Sequence, residues 1–246
     1  MDFFNNDELN KIREYAKENH IPIMLNNTAK FLIKTIKENK PKNVLEIGTA
    51  IGYSGIAMLN AFDNLKLKTV ELSKERFDLA VDNFNKFGFS NRVEALNEDA
   101  LKTLIESLNS QEQFDFIFLD GPKGQQYLYF PMLKELLNKG GVLFVDDIFY
   151  HKNYIEKDGF VGHKHRSMVR NLEKFINIVQ NDSDFSKEYY EIDEGVLIAK
   201  KLIDWCNSIA IYLMYLHIRI FSAFAIRREF ICIIFLKIKF KNILFF

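Results

Sequence analysis

Cysteine is almost absent: Cys206 and Cys232 are the only two in 246 residues, and both lie beyond residue 201. Residues 1–201 can therefore make neither a disulfide nor a thiolate metal site, which fits a reducing cytoplasm. No charge of one sign prevails. Lys+Arg and Asp+Glu both number 33, so bulk charge demands no nucleic-acid partner. The first residues, Met1-Asp2-Phe3-Phe4-Asn5, show no basic region followed by an apolar stretch, so no signal peptide is read. Two phosphate-binding signatures are missing as well. There is no G-x-x-x-x-G-K-[ST], and G-x-G-x-x-G fails because Ala50 occupies the middle glycine position. His163 and His165 stand two apart with no third nitrogen ligand apparent, which argues against zinc and for surface or phosphate-contacting histidines.

What is present is enough chain for one α/β domain with a substantial core. The charge balance hides a split: residues 202–246 hold six basic and two acidic side chains, leaving the body mildly acidic. Helical spacing predicts helices over residues 7–19 (Leu9, Ile12, Tyr15) and 27–39 (Phe31, Leu32, Thr35, Ile36). Asn27 or Thr28 is the expected cap of the second, and Pro41 lies beyond its end. Apolar runs predict strands at 43–45, 67–70, 92–96, 114–119 and 142–145. Helices are expected between them: from Gly55, from a Ser73 cap to near Gly88, over 99–108, and over 127–137 with a stop at Gly140-Gly141. A further helix is expected over 168–179, then a hairpin across 188–199 turning at Asp193-Glu194-Gly195.

Strands alternating with helices imply a parallel sheet with helices on both faces, and ligands bind such sheets at the carboxyl ends of the strands. Glu46, Glu71, Asp120, Asp146 and Asp147 each follow an apolar strand run, so they converge on one rim. A single such acid would usually do no more than cap the next helix; five in register point to a site. The first of them opens Glu46-Ile47-Gly48-Thr49-Ala50-Ile51-Gly52-Tyr53-Ser54. A glycine-rich turn between strand and helix brings backbone N–H groups close to a ligand and aims a helix N-terminus at it. The leading acid suits a cationic or hydroxyl-bearing cofactor better than a phosphate.

This E-x-G-x-x-x-G-Y-S stretch resembles the first motif of the class I, S-adenosylmethionine-dependent methyltransferases. More narrowly, it resembles the divalent-metal-dependent O-methyltransferases related to the catechol and caffeoyl-coenzyme A enzymes. The resemblance covers about residues 20–200. It implies an α/β Rossmann-like fold with a seven-stranded, mostly parallel sheet, a C-terminal antiparallel hairpin and helices on both faces. It also implies roles. Glu46, Gly48 and Ser54 would hold the methionine part of the cofactor, with Met24 packed by the methyl donor. Glu71 would take both ribose hydroxyls, and Asp99-Ala100 would meet the adenine. Asp120 would serve catalysis, the cofactor and a metal; Asp146 and Asp147 would be the other metal ligands. Lys123 would be the general base, and beside a cation its pKa should be depressed. Mg2+ or Mn2+ suits such oxygen donors. The family usually has Asp-Asn where this chain has Asp146-Asp147, an extra carboxylate that should raise metal affinity.

Within that family, Ile21-Pro22-Ile23-Met24, the glycine turn and Asp120-Gly121-Pro122-Lys123-Gly124-Gln125 look most like the bacterial enzymes that methylate a hydroxylated wobble uridine in the tRNA anticodon loop. Contacts to RNA are then expected from Lys152, Tyr154, Lys164, Arg166 and Arg170, within a basic stretch that also holds His151, His163 and His165; Tyr154 and Phe160 would stack on an unpaired base. The alternatives are a catechol-type small-molecule methyltransferase with a pocket from Phe149, Tyr150 and Tyr154, and a non-catalytic cofactor-binding module, against which the metal ligands argue. The resemblance also implies a homodimer. The methyltransferase domain is expected over residues 1–201, its N-terminal helices over 1–40. Residues 202–246 form an atypical hydrophobic, basic tail. Read-through or frameshift of an AT-rich gene is the favoured account of it, because Ile, Phe, Lys, Leu and Asn dominate it. The alternatives are a packing helix and a membrane anchor; against the anchor, His217 and Arg219 interrupt the long apolar run.

Overall fold

The computed structural model describes residues 3–149 and 165–203. Strands Asn43–Ile47 (β1), Lys66–Val70 (β2), Val93–Leu96 (β3), Phe114–Leu119 (β4), Leu137–Asp146 (β5), Phe185–Tyr190 (β6) and Val196–Lys201 (β7) make one sheet in the order β3-β2-β1-β4-β5-β7-β6. The first five run parallel, and β7 is antiparallel to both β5 and β6. This is the mostly parallel sheet expected from the alternating pattern and the Rossmann-like fold that the resemblance implies. β1 and β4 lie in the middle and are buried on both faces, which is why they read as continuous apolar runs.

Among the described residues seven α-helices flank the sheet: Asp7–Glu18 (α1), Asn26–Asn39 (α2), Tyr53–Ala61 (α3), Lys74–Lys86 (α4), Ala100–Asn109 (α5), Gln126–Leu136 (α6) and Arg166–Asn181 (α7). Side chains alternate along a strand, so β4 feeds two cores. Phe116 and Phe118 pack with Leu32, Met58 and Phe84 of α2, α3 and α4. Ile117 and Leu119 pack with Leu104, Phe130 and Phe175 of α5, α6 and α7. Arg13 of α1 joins two helix starts. Its Nε donates to the Tyr53 hydroxyl at 2.9 Å, another guanidinium nitrogen donates to Asn26 Oδ1, and the group lies 5.4 Å from the Phe4 and Tyr53 ring centres.

The structure departs from the sequence pattern at three places. β5 begins at Leu137 and runs through Gly140-Gly141, which were expected to end a helix. The pairing register with β4 shifts between Phe114 and Phe116, so the glycines sit in an irregular stretch of strand. α3 begins at Tyr53, two residues before Gly55. The third is the start of α2. Leu25 occupies its N-cap and offers no side-chain bond, while Asn27 and Thr28 lie inside the helix. Neither caps it; the Asp193 carboxylate accepts from the Thr28 N–H instead. Among the described residues no helix is long and apolar enough to cross a membrane. The tail beyond Ile203 lies outside them.

Candidate active site

The carboxyl ends of β1, β2, β4 and β5 bring the expected acids to one rim. The glycine turn crosses it with little clearance. Gly48 has φ +100, and a Cβ there would stand 2.6 Å from the Asp120 carbonyl oxygen, so only glycine lets the two loops touch. Gly48 and Thr49 donate their N–H groups to the Val70 carbonyl, and Asp120 donates its own to Ile47. Glu71 ties the turn from the side. One oxygen accepts from the Ala50 N–H at 2.9 Å and the other from the Ser73 N–H at 2.9 Å. A carboxylate has about four acceptor directions, so hydroxyl groups can still be accepted outward.

Glu46 lies deeper than the other acids and is fully buried. Ser54 donates its hydroxyl to Oε1 at 2.5 Å and Thr69 donates to Oε2 at 2.6 Å; the Thr69 hydroxyl also meets that of Thr49 at 2.5 Å. Burial pushes the Glu46 carboxyl up to about 7 against the pull of these two hydrogen bonds, and the charges of Asp120 and Glu71 add to the rise. The carboxyl and the Ser54 hydroxyl therefore bond to each other beneath the turn. Met24 is buried in the core just before α2. Asp99 is the N-cap of α5, accepting from the Leu101 N–H at 2.8 Å, and Ala100 begins that helix half-buried. Burial and the Asp99 charge push the Tyr129 hydroxyl of α6 up to about 12.

Asp120, Asp146 and Asp147 converge: one carboxylate oxygen from each lies within 4.8 Å of the others. An octahedral ion with ligands about 2.1 Å away spaces them about 3 Å apart when adjacent and about 4.2 Å when opposite, so the cluster has the right span for Mg2+ or Mn2+. Asp147 holds a left-handed backbone, φ 57, which turns it back toward the cluster side of the rim. Lys123 lies among the three. Its ammonium is 2.7 Å from Asp120 Oδ1 and 3.2 Å from Asp147 Oδ2, and donates to the Asp146 carbonyl at 3.2 Å.

The expected depression of the Lys123 pKa concerns a bound cation; among the carboxylates alone the shift runs the other way. Burial pulls it down, but attraction to Asp120, then Asp147 and Asp146, outweighs burial and raises it. One lysine nevertheless cannot neutralise three carboxylates. Asp120 is pushed up by burial and by Asp147 despite Lys123, and Asp146 is raised well above the usual range by burial and by both other aspartates. The raised carboxyls mark mutual repulsion that a bound cation would relieve, and the cluster offers hard oxygen donors, so the residues fit a divalent cation.

Of the expected RNA contacts, Arg166 and Arg170 are exposed on the first turns of α7. Asn171 of the same helix donates to the Gly124 carbonyl at 3.0 Å, which docks α7 beside the Lys123 turn. Lys152, Tyr154 and Lys164 lie outside the described residues, as do Tyr150, His151, Phe160 and His163. Sequence reasoning missed Thr69, whose hydroxyl serves Glu46, Thr49, whose hydroxyl meets that of Thr69, and Asp193. A threonine in a strand carries no sign of its partner, and Asp193 read only as part of a turn.

A family model described as O-methyltransferase matches residues 3–202. The tapetum-specific methyltransferase 1 of Arabidopsis thaliana is 25% identical over 175 residues, covering 70% of this chain and 75% of that protein. Caffeoyl-CoA O-methyltransferase 2 of Petunia hybrida is 26% identical over 155 residues, 61% of this chain and 64% of that one. Among solved structures, a Staphylococcus aureus protein named for the caffeoyl-CoA O-methyltransferases superposes with TM-score 0.73 at 28% identity, over 80% of this chain and 94% of its own. A Bacillus cereus O-methyltransferase in complex with S-adenosylhomocysteine shares the fold, with TM-score 0.71 at 24% identity, over 80% and 91%. The chain belongs to the O-methyltransferase family.

Proposed function

We propose that this enzyme methylates the 5-hydroxyl of wobble 5-hydroxyuridine in tRNA, with the acceptor held at the Asp120, Asp146 and Asp147 cluster. The observation that carries the acceptor class is the placing of α7. Arg166, Arg170 and Lys174 recur at successive turns on its exposed side, and Asn171 fastens that helix to the Lys123 turn. A cationic stripe beside the reaction centre suits a polyanionic acceptor whose reacting base is splayed out of its strand.

Met24, Gly48 and Ser54 line the methionine side in this reading, Glu71 accepts the ribose hydroxyls, and Asp99-Ala100 borders the adenine. Asp120, Asp146 and Asp147 would hold Mg2+ or Mn2+, which when bound acts as a Lewis acid on the acceptor hydroxyl. The acceptor oxygen attacks the methyl carbon in line, the carbon–sulfur bond breaks, and its electron pair returns to sulfur. The rate then depends on positioning oxygen and carbon at near-contact distance. Lys123 is placed to receive the hydroxyl proton only when its hold on the carboxylates is relaxed; in the arrangement seen here it is an ammonium that orders the three aspartates.

The test is transfer of labelled methyl with Mg2+ to hypomethylated tRNA and, separately, to a catechol and a hydroxycinnamoyl thioester. Label in tRNA alone is expected; label in a small molecule alone overturns the tRNA reading. The small-molecule reading draws on the names of the relatives, several of which are caffeoyl-CoA O-methyltransferases. Asp120→Ala is expected to cut transfer about a hundredfold or more and to abolish Mn2+ binding in a relaxation titration. Retained Mn2+ binding would refute Asp120 as a ligand, and retained activity would refute a metal role in transfer. The same reading carries a homodimer working in the cytoplasm, and light scattering of the purified chain tests the dimer.

A further inference from the structure

The turn between β6 and β7 is fastened on both sides. On one side the Asp193 carboxylate accepts three hydrogen bonds from the start of α2. Asn27 donates its amide to Oδ1 at 2.9 Å, and Thr28 donates its N–H and hydroxyl to Oδ2 at 2.9 and 3.1 Å. α2 has no side-chain cap of its own, so an acid from a distant element supplies it, with the charge that suits the positive end of a helix. Thr28 is buried, so its N–H has no water to turn to if the carboxylate is removed. On the other side, Gly195 and Glu194 accept through their carbonyls from the N–H groups of Ile148 and Phe149, at 3.1 and 2.8 Å. Those two residues follow Asp147 directly. Gly195 has φ +88 and packs bare backbone against the Phe149 ring; a Cβ there would lie 2.2 Å from it. Asp193 itself adopts a left-handed backbone, φ 47, which aims its carboxylate at α2.

The turn thus bridges the segment carrying Met24 and the loop carrying Asp146-Asp147. From this bridge we infer that Asp193 is a positioning residue: by capping α2 it fixes the Met24 segment, and with it the methyl-donor pocket, relative to the acid loop. The inference rests on the cofactor and cation roles proposed above. Its contacts go to α2, whereas those of Phe149 and Gly195 serve the acid loop, so the two ends of the bridge can be separated experimentally.

Isothermal titration of the purified full chain with S-adenosylmethionine measures one end, and Mn2+ relaxation titration measures the other. Asp193→Ala is expected to raise the cofactor Kd about fivefold to tenfold and to leave the Mn2+ Kd within about twofold. Asp193→Asn keeps an oxygen for Thr28 and is expected to restore most of the cofactor affinity. Phe149→Ala is expected to do the reverse, weakening Mn2+ with little change in the cofactor. An unmoved cofactor Kd in Asp193→Ala overturns the inference. So does an equal loss at both ligands that Asn does not rescue, which is the mark of general loosening. Should Asp193→Ala fail to fold, Asp193→Asn and Thr28→Val are judged by the same comparison, Thr28→Val being expected to weaken cofactor alone. A wild-type chain that binds no Mn2+ overturns the metal reading and this inference together; wild-type binding of both ligands with an unmoved variant overturns the inference alone.

Discussion

Glu46 shows how far one side chain's role depends on depth. Its carboxyl is pushed up to about 7 because it is fully buried, with two hydroxyl donors and, among the described residues, no cation to offset that burial. An unfolded glutamate titrates near 4.5. Between those values the folded chain binds the proton and the unfolded chain does not, so stability falls as pH rises through that window. A shift of this size corresponds to about 3 kcal/mol, lost between roughly pH 4.5 and pH 7. Glu46→Gln should remove that slope: urea melts at pH 5 and pH 7.5 should differ less for the variant than for the wild type, by about 2 kcal/mol. An equal pH dependence in both chains would mean that Glu46 is not the group. The acids themselves were legible in the sequence, because strand-end positions follow from apolar runs. Their states were not. Thr69 and Ser54 reach Glu46 across 23 and 8 positions, and the three-to-one ratio of carboxylates to Lys123 appears only once β4 and β5 are side by side.

At the scale of elements, the glycines separate two kinds of constraint. Gly48 faces the Asp120 backbone at 2.6 Å with φ +100. Gly55 lies in α3, where a Cβ would meet the Leu67 side chain at 2.8 Å and the Phe84 ring at 2.9 Å. Alanine at 55 gains about 1 kcal/mol of helix propensity but overpacks a filled core at a cost of about 1–3 kcal/mol. The net expectation is a loss of about 1 kcal/mol, with Leu67 yielding. At Gly48 a rigid carbonyl cannot yield and the backbone itself is strained, so Gly48→Ala should cost about 3 kcal/mol and weaken cofactor binding as well. Thermal melts with cofactor titration would show the order reversed if the turn were plastic. The glycine turn was legible because its spacing is dictated by these approaches. The start of β5 was not: Gly140-Gly141 after a helical pattern reads as a stop, and only pairing with β4 carries the strand across it.

For the whole molecule, the sheet closes where the family match ends. Lys201 of β7 donates to the carbonyls of Lys134 and Leu137 at 2.7 and 2.9 Å, capping the end of α6, and Leu202 donates its N–H to Asp184. The family model stops at residue 202, and residues up to Leu202 form one compact unit. The parallel core and its antiparallel close were legible from alternation alone, because each strand of β1 to β5 is followed by its own helical period. The last β-strand was legible too, but not that its terminal lysine is bound into the fold. A chain ending at Ile203 keeps every one of these bonds. It is expected to fold, to melt within about 2 °C of the full chain, and to bind S-adenosylmethionine with unchanged Kd. Insolubility, or a melt lowered by more than about 5 °C, would make residues 204–246 part of the folded domain. That outcome would also exclude an origin of the tail as a read-through appendage, since such an addition has no packed surface to give up.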